Sequence, residues 1–155
     1  MPGQAERKKS VKYKLVPQEL EIRGKKVMIM DDSIVRGNTS REIVRMLKDF
    51  GAKEVYFTVA CPPVKSPCFY GVDMPTKDEL IAGNMTEDEI QDYLKVDALL
   101  YQKIDGLVEA VTRKGDHHID TPCMACLDGN YVANDIDDAK IAEMETMRVN
   151  DRNGK

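Results

Sequence analysis

The stretch "VMIMDDSIVRGNTSREIV", residues 27–44, constrains this chain more than any other. Four apolar residues run directly into Asp31 and Asp32, and a short Ser/Gly/Asn/Thr loop follows. A brief continuous apolar run suits a strand buried on both faces of a parallel sheet. From Thr39, "TSREIVRMLKDFGA" reads as a helix. Ile43, Val44, Leu47 and Phe50 share one face, and Gly51 sits where a helix commonly ends in a left-handed residue. Asn38 or Thr39 is expected to cap its start. Strand, loop and helix together are the first part of a parallel crossover, which requires another strand beyond the helix.

The rest of the chain continues that pattern. "EVYFTVAC" (54–61) is a second buried-strand candidate, stopped by Pro62 and Pro63. Thr76 with Glu79, and Thr86 with Glu89, form two capping boxes ahead of helical patterns. "DALLYQ" (97–102) predicts a third strand, and Ile104, Leu107, Val108 and Val111 predict a further amphipathic helix. After Gly115 the chain is polar and turn-like as far as "CMACLDGNY". Ile141, Met144 and Met147 then mark a last helix. The alternation argues for an α/β fold with a parallel sheet flanked by helices. Three strands are fewer than a complete doubly wound domain normally has. The opening "MPGQAERKKSVKYKL" is polar and basic, with no strand or helix pattern, like a loop that begins inside a domain. The expectation is that an N-terminal half is missing.

Composition limits the function classes. At 155 residues the chain suits one domain, and 42% hydrophobic with 32% charged residues is ordinary for a globular protein. A net charge of −4 offers no general basic field, so nucleic acid is not an expected partner. No apolar run approaches the ~18 residues of a membrane span, and the first twenty residues lack a signal-peptide core. These features point to a cytoplasmic chain, in which the four cysteines are thiols or metal ligands rather than disulfides.

In an open α/β sheet, ligands bind beyond the carboxyl ends of the strands. Asp31 and Asp32 are expected at such an end. Side chains alternate along a strand, so adjacent carboxylates serve different sides: two ligand hydroxyls, or water around a Mg²⁺. The loop behind them supplies Gly37, hydroxyl and amide side chains, and a helix start whose free N–H groups and dipole suit a phosphate. A sugar phosphate fits both halves. The plainer alternative is that Asp31 and Asp32 are turn residues and the loop only caps a helix. The Gly-Lys-Ser/Thr ending of a nucleotide-binding P-loop is absent.

This pattern resembles the phosphoribosyl pyrophosphate (PRPP) signature of type I phosphoribosyltransferases. The wording "DDSIVRG" is similar to the amidophosphoribosyltransferase family, as are "RKKSVKYKL" (7–15), "IRGKKV" (22–27), "TSREIV" (39–44), "GAKEVYF" (51–57), "PCFYGVDMPTKDELIA" (67–82) and "CMACLDGNYV" (123–132). The resemblance implies a partial type I phosphoribosyltransferase fold. Residues 1–24 would be the tail of a flexible catalytic loop with its connector. Residues 25–115 would be the C-terminal part of the transferase domain, and 116–155 a C-terminal extension. It implies that Asp31 and Asp32 contact the ribose hydroxyls and the Mg²⁺ bound with PRPP. Ser33 to Ser40, with Arg36, Gly37, Asn38 and Thr39 between them, would hold the 5′-phosphate. Asn38 stands where relatives usually carry threonine. Arg7, Lys8, Lys9, Lys12 and Lys14 are candidates to neutralise charge on departing pyrophosphate, or else a solvated basic segment. Purine nucleotides are implied as further ligands, and the missing half or further copies of the chain as partners. No glutaminase domain or pyrophosphate loop matches, so the chain is expected to be a C-terminal fragment unable to complete glutamine-dependent synthesis alone.

Cys123 and Cys126 form a C-x-x-C, with Cys61 and Cys68 upstream. Chemistry alone leaves a tetrahedral zinc site, an iron–sulfur cluster or free thiols open. The resemblance assigns Cys68, Cys123 and Cys126 to three ligands of a [4Fe–4S] cluster. It gives Cys61 no such role, and His117 and His118 are expected to be solvated. Rival readings are a subunit active only beside a separate complementing chain, a non-catalytic nucleotide-binding module, and a zinc-stabilised structural fragment.

Overall fold

The computed structural model of the chain describes residues 18–112, 119, 121–133 and 136–152. A short helix α1 (Glu19–Ile22) leads into strand β1 (Lys26–Asp31), then helix α2 (Asn38–Asp49) and strand β2 (Glu54–Val59). A 3₁₀ turn (Lys77–Glu79) and helices α3 (Ile81–Asn84) and α4 (Glu87–Leu94) precede strand β3 (Ala98–Tyr101). Helices α5 (Ile104–Thr112), α6 (Ala125–Asp128) and α7 (Asp138–Arg152) follow. The strands form one parallel sheet in the order β1-β2-β3, with Asp31 beside Val59 and Val59 beside Tyr101. This is the α/β arrangement expected from the alternation of strand and helix patterns.

Alternation within each strand divides the sheet residues between two faces. Val27 and Ile29 of β1, Val55, Phe57 and Val59 of β2, and Leu99 and Tyr101 of β3 join Val44 and Leu47 of α2 and Ile90 and Leu94 of α4 in the main core. Phe57, Val55 and Ile90 have no exposed surface. A second cluster, built on Val64, Leu80 and Leu127, takes in Ile104, Leu107 and Met124. The C-terminal helix α7 is tied back onto the 68–77 segment. Glu145 accepts the Lys77 amide at 2.6 Å, and Arg148 lies over the Phe69 ring while donating to the Cys68 carbonyl.

Helix ends follow their local chemistry. Thr86 accepts the Glu89 amide while Glu89 accepts the Thr86 amide, the reciprocal box expected there. Phe50 closes α2, and Gly51 turns the chain out of it at φ 86°. At Thr76 the box is also present, but it heads a 3₁₀ turn. Leu80, extended and fully buried, separates that turn from α3, so the expected single helix is broken.

Three sequence expectations are corrected. β1 is not buried on both faces: Met28 and Met30 are 67% and 77% exposed, because α2 and α4 cover only the other side. β2 ends at Val59 rather than reaching Cys61, because the chain beyond it folds over the end of β1, where the Ala60 and Cys61 amides bond to the carbonyls of Asp31 and Asp32. The start of α2 is capped by neither Asn38 nor Thr39. Gly37 is the N-cap, in the left-handed region at φ 72°, and Asn38 is the first helical residue.

Candidate functional site

Asp31 closes β1 and is half-buried, while Asp32, one residue beyond the strand, is exposed. The register puts Asp31 on the helix-covered face, the side from which α2 begins. The two carboxylates are held by their neighbours. The Asp32 amide donates to Asp31 Oδ1 at 3.0 Å, and the Ser33 hydroxyl donates to Asp32 Oδ1 at 2.9 Å. Adjacent like charges at a strand end are therefore separated in exposure and in setting, as the alternation argument requires.

The loop from Ser33 to Ser40 is braced from three sides. Ile34 is buried in the core, and the Val35 carbonyl accepts the Ile81 amide at 2.9 Å. Arg36 Nε pairs with Glu79 Oε1 at 2.9 Å. Gly37 is buried, and a Cβ there would lie 2.7 Å from Ile81 Cδ1 and 3.3 Å from Tyr93 Cε1. The left-handed backbone favours glycine here, and a side chain would also press on Ile81 and Tyr93. Tyr93 also donates to Asn38 Oδ1 at 3.4 Å and stacks under Arg41, 4.6 Å from the ring centre. Thr39 is exposed, and Ser40 is buried beneath the turn.

Two of these braces were not visible as such in the sequence. Glu79 was legible only as a capping residue, although it also holds Arg36, forty-three positions away. Tyr93 was legible only as part of an apolar helix face. Cys61 is a third addition. Its amide donates to the Asp32 carbonyl at 3.0 Å, and burial first and the Asp32 carboxylate second push its thiol pKa up. Tyr101, in the same strand-end row as Asp31 and Val59, has a pKa pushed up to about 12, mainly by burial and then by Glu87 and Cys61. A groove between α2 and α4, about 640 Å³ and lined by Arg41, Arg45, Lys48 and Lys95 among others, includes neither Asp31 nor Asp32.

The remaining candidates divide. Arg7, Lys8, Lys9, Lys12 and Lys14, with His117 and His118, lie outside the described residues. Cys61, Cys68 and Cys126 are half-buried and Cys123 is exposed. Burial raises the Cys126 pKa, and charge on Cys61, Cys68 and Cys123 raises it further. Among the described residues, however, no three His, Cys, Asp or Glu side chains gather closely enough to hold a metal. Cys68, Cys123 and Cys126 are therefore not drawn together as a metal site in this arrangement. Mg²⁺ asks less of the protein, since it keeps several waters and takes one or two carboxylates plus substrate phosphates. Asp31 and Asp32 fit that requirement.

The chain is 48% identical to amidophosphoribosyltransferase of Methanocaldococcus jannaschii over 84% of its own length, and 47% identical to that of Pseudomonas aeruginosa over 96%. The chain is homologous to the C-terminal part of amidophosphoribosyltransferase. It spans 26% and 29% of the lengths of those two amidophosphoribosyltransferases. Its fold matches the solved glutamine PRPP amidotransferase of Bacillus subtilis, complexed with ADP and GMP, at a TM-score of 0.69 and 38% identity, over 89% of this chain and 30% of that one. The three parallel strands with flanking helices are thus type I phosphoribosyltransferase-like. No protein-family model matches the chain. No helix among the described residues is long and apolar enough to cross a membrane.

Proposed function

We propose that this chain provides the ribose-5-phosphate half of the PRPP site of an amidophosphoribosyltransferase, the enzyme that forms 5-phosphoribosylamine from PRPP and glutamine-derived ammonia. Asp31 and Asp32 bind the ribose hydroxyls and, through water, the Mg²⁺ that accompanies PRPP. The N–H groups of the Arg36–Ser40 turn and the start of α2 take the 5′-phosphate. When bound, Mg²⁺ offsets charge on the pyrophosphate as it leaves C1. Arg7, Lys8, Lys9 and Lys14, within residues 1–24, are the cations assigned to neutralise that leaving group. Residues 25–115 carry the sugar-phosphate site, and 116–155 extend it. The same phosphate loop receives purine nucleotides, a reading supported by the ADP and GMP in the Bacillus subtilis relative. The chain contributes no nucleophile for glutamine, and its acidic balance and lack of long apolar runs suit a cytoplasmic setting.

The carrying observation is the coincidence of Asp31 and Asp32 at the carboxyl end of β1 with a helix start opened by a left-handed glycine at position 37. Calorimetric titration of PRPP with Mg²⁺ tests it. Asp31→Asn/Asp32→Asn should weaken binding at least tenfold, about 1.4 kcal/mol, by removing two charged acceptors. Equal affinity for wild type and variant would sink both aspartate roles.

A further inference from the structure

The groove between α2 and α4 carries positive charge that the proposed PRPP site does not use. Its lining holds Arg41, Arg45, Lys48 and Lys95 against two carboxylates, Glu42 and Asp49, in a chain of net charge −4. Arg45 is taken up by those two acids, at 2.8 and 3.8 Å, and Lys48 by Asp97 at 3.7 Å. Arg41 and Lys95 have no carboxylate partner among the described residues. Each is held in place by something other than an ion pair. Arg41 lies over the Tyr93 ring, 4.6 Å from its centre, and the Tyr93 hydroxyl is itself tied to Asn38 Oδ1. Stacking fixes the guanidinium plane and leaves its N–H edge free. Lys95 ends α4 at φ 61°, the only non-glycine residue with a positive φ among the described residues. Glycine or asparagine is the ordinary residue for that conformation, so a lysine there stands against backbone preference. Tyr93 touches the first turn of α2 and Asp97 touches its last, which sets Lys95 beside the middle of the groove.

Two cations without acidic partners, one on each wall, call for an anion with two charged centres. A guanidinium edge matches two oxygens of one phosphoryl group, and the compact ammonium meets a second group as a point charge. A volume of about 640 Å³ lies within the range of small-molecule sites and leaves room for more than a single phosphate. We propose that the α2–α4 groove binds a diphosphate group, free or carried on a larger molecule, between Arg41 and Lys95. The site is separate from the aspartate pair, since neither Asp31 nor Asp32 lines it and Asn38 is its one residue from the Ser33–Ser40 loop.

Nitrogen-15 NMR of the full chain, titrated with inorganic pyrophosphate in the presence of EDTA and excess ribose 5-phosphate, reads each amide separately. Saturable shifts are expected at Arg41, Tyr93 and Lys95. Orthophosphate should bind at least about tenfold more weakly, because it meets one cation at a time. Monomethyl diphosphate represents a diphosphate carried on a larger molecule. It should bind within about threefold of pyrophosphate, since it keeps both phosphoryl centres. Arg41→Gln/Lys95→Gly should weaken pyrophosphate at least about tenfold. Glycine suits the left-handed backbone at position 95, and Arg41 is exposed. The circular dichroism of the variant and its affinity for PRPP with Mg²⁺ should therefore match wild type. The proposal is overturned if the groove amides do not shift, or if the shifts centre on Gly37 to Ser40 instead. It is also overturned if orthophosphate binds as tightly as pyrophosphate, if the methyl ester does not bind, or if the double variant binds pyrophosphate equally well.

Discussion

The two faces of this sheet come from the same three strands and the same short apolar runs, yet they have opposite fates. On one, Val55 and Phe57 lose all contact with water beneath α2 and α4. On the other, Met28 and Met30 of the neighbouring strand β1 keep most of their surface in water. What differs is topology. Both crossovers place their helices on one side, so burial is decided by where the connections run rather than by how apolar the strands are. The covered face carries the proposed site, because Asp31 and the start of α2 lie on its carboxyl edge.

The sharpest way to break this comparison is to truncate one residue on each face. Phe57→Ala should destabilise the chain by about 3–5 kcal/mol, the usual cost of emptying a packed aromatic site. Met30→Ala on the exposed face should change stability by no more than ~0.5 kcal/mol. Urea denaturation of both variants measures the pair. Comparable losses would mean that the Met28–Met30 face is buried in the isolated chain.

The next largest effect falls on the loop that continues the covered face. Gly37→Ala forces a Cβ into left-handed backbone and against Ile81 and Tyr93. Ile81 Cδ1 is the far end of a flexible side chain and can give way, so the cost is dominated by backbone strain, about 1–3 kcal/mol. Weaker PRPP binding should accompany it, since the same turn aims the N–H groups. A variant with wild-type melting temperature and wild-type affinity would show that neither the turn nor its packing matters.

Much of this was legible in the sequence, and the misses share one cause. The three strands, α2, both capping boxes, the helix from Ile104 and the final helix around Met144 were readable because periodicity and caps are local signals. The aspartate pair followed by a glycine-bearing loop was readable for the same reason. What local pattern does not carry is which face a partner covers. β1 therefore read as buried on both sides, and Glu79 and Tyr93 gave no hint that they brace Arg36 and Asn38. The helices α1 and α6 were missed because four-residue turns leave almost no periodicity. The break at Leu80 was missed because a buried extended residue between two helical turns is a tertiary choice.

A smaller effect is expected at α4, which covers the sheet from the Thr86 box onward. Thr86→Ala removes the oxygen that accepts the Glu89 amide, and should cost about 1 kcal/mol. Glu89 is held below the usual carboxylate range, first by the Thr86 amide and then by its hydroxyl. A carboxylate with a depressed folded-state pKa contributes stability above its unfolded value, and loses it as pH falls through the folded value. The gap between variant and wild type should therefore narrow without closing on acidification below the ordinary Glu value of 4.5, because only the hydroxyl's bond to the carboxylate is charge-dependent and differs between them. A gap that stays constant down to pH 2 would mean that the box contributes no charge-dependent stability.

The smallest effect at neutral pH concerns a buried hydroxyl on the covered face. Tyr101 buries its hydroxyl without a hydrogen-bond partner among the described residues. Replacing it by phenylalanine removes an unsatisfied group while keeping the ring, so stability at pH 7 should stay level or rise by up to ~1 kcal/mol. The alkaline side is more diagnostic. The folded pKa is raised to about 12, from an ordinary value of 10.0, because burial disfavours the phenolate and Glu87 and Cys61 add negative charge nearby. Stability from keeping this hydroxyl neutral is complete below the unfolded value, and is lost as pH rises from there through the folded one. Wild type should thus lose more stability than Tyr101→Phe between pH 9 and 11. Tyr56, Cys61 and Cys126, whose pKa values are also raised, contribute equally to both proteins and cancel in the difference. Denaturation midpoints at the two pH values give that difference directly. Parallel losses would place the Tyr101 hydroxyl in contact with solvent, and the carboxyl edge of the covered face would then be open where the structure shows it closed.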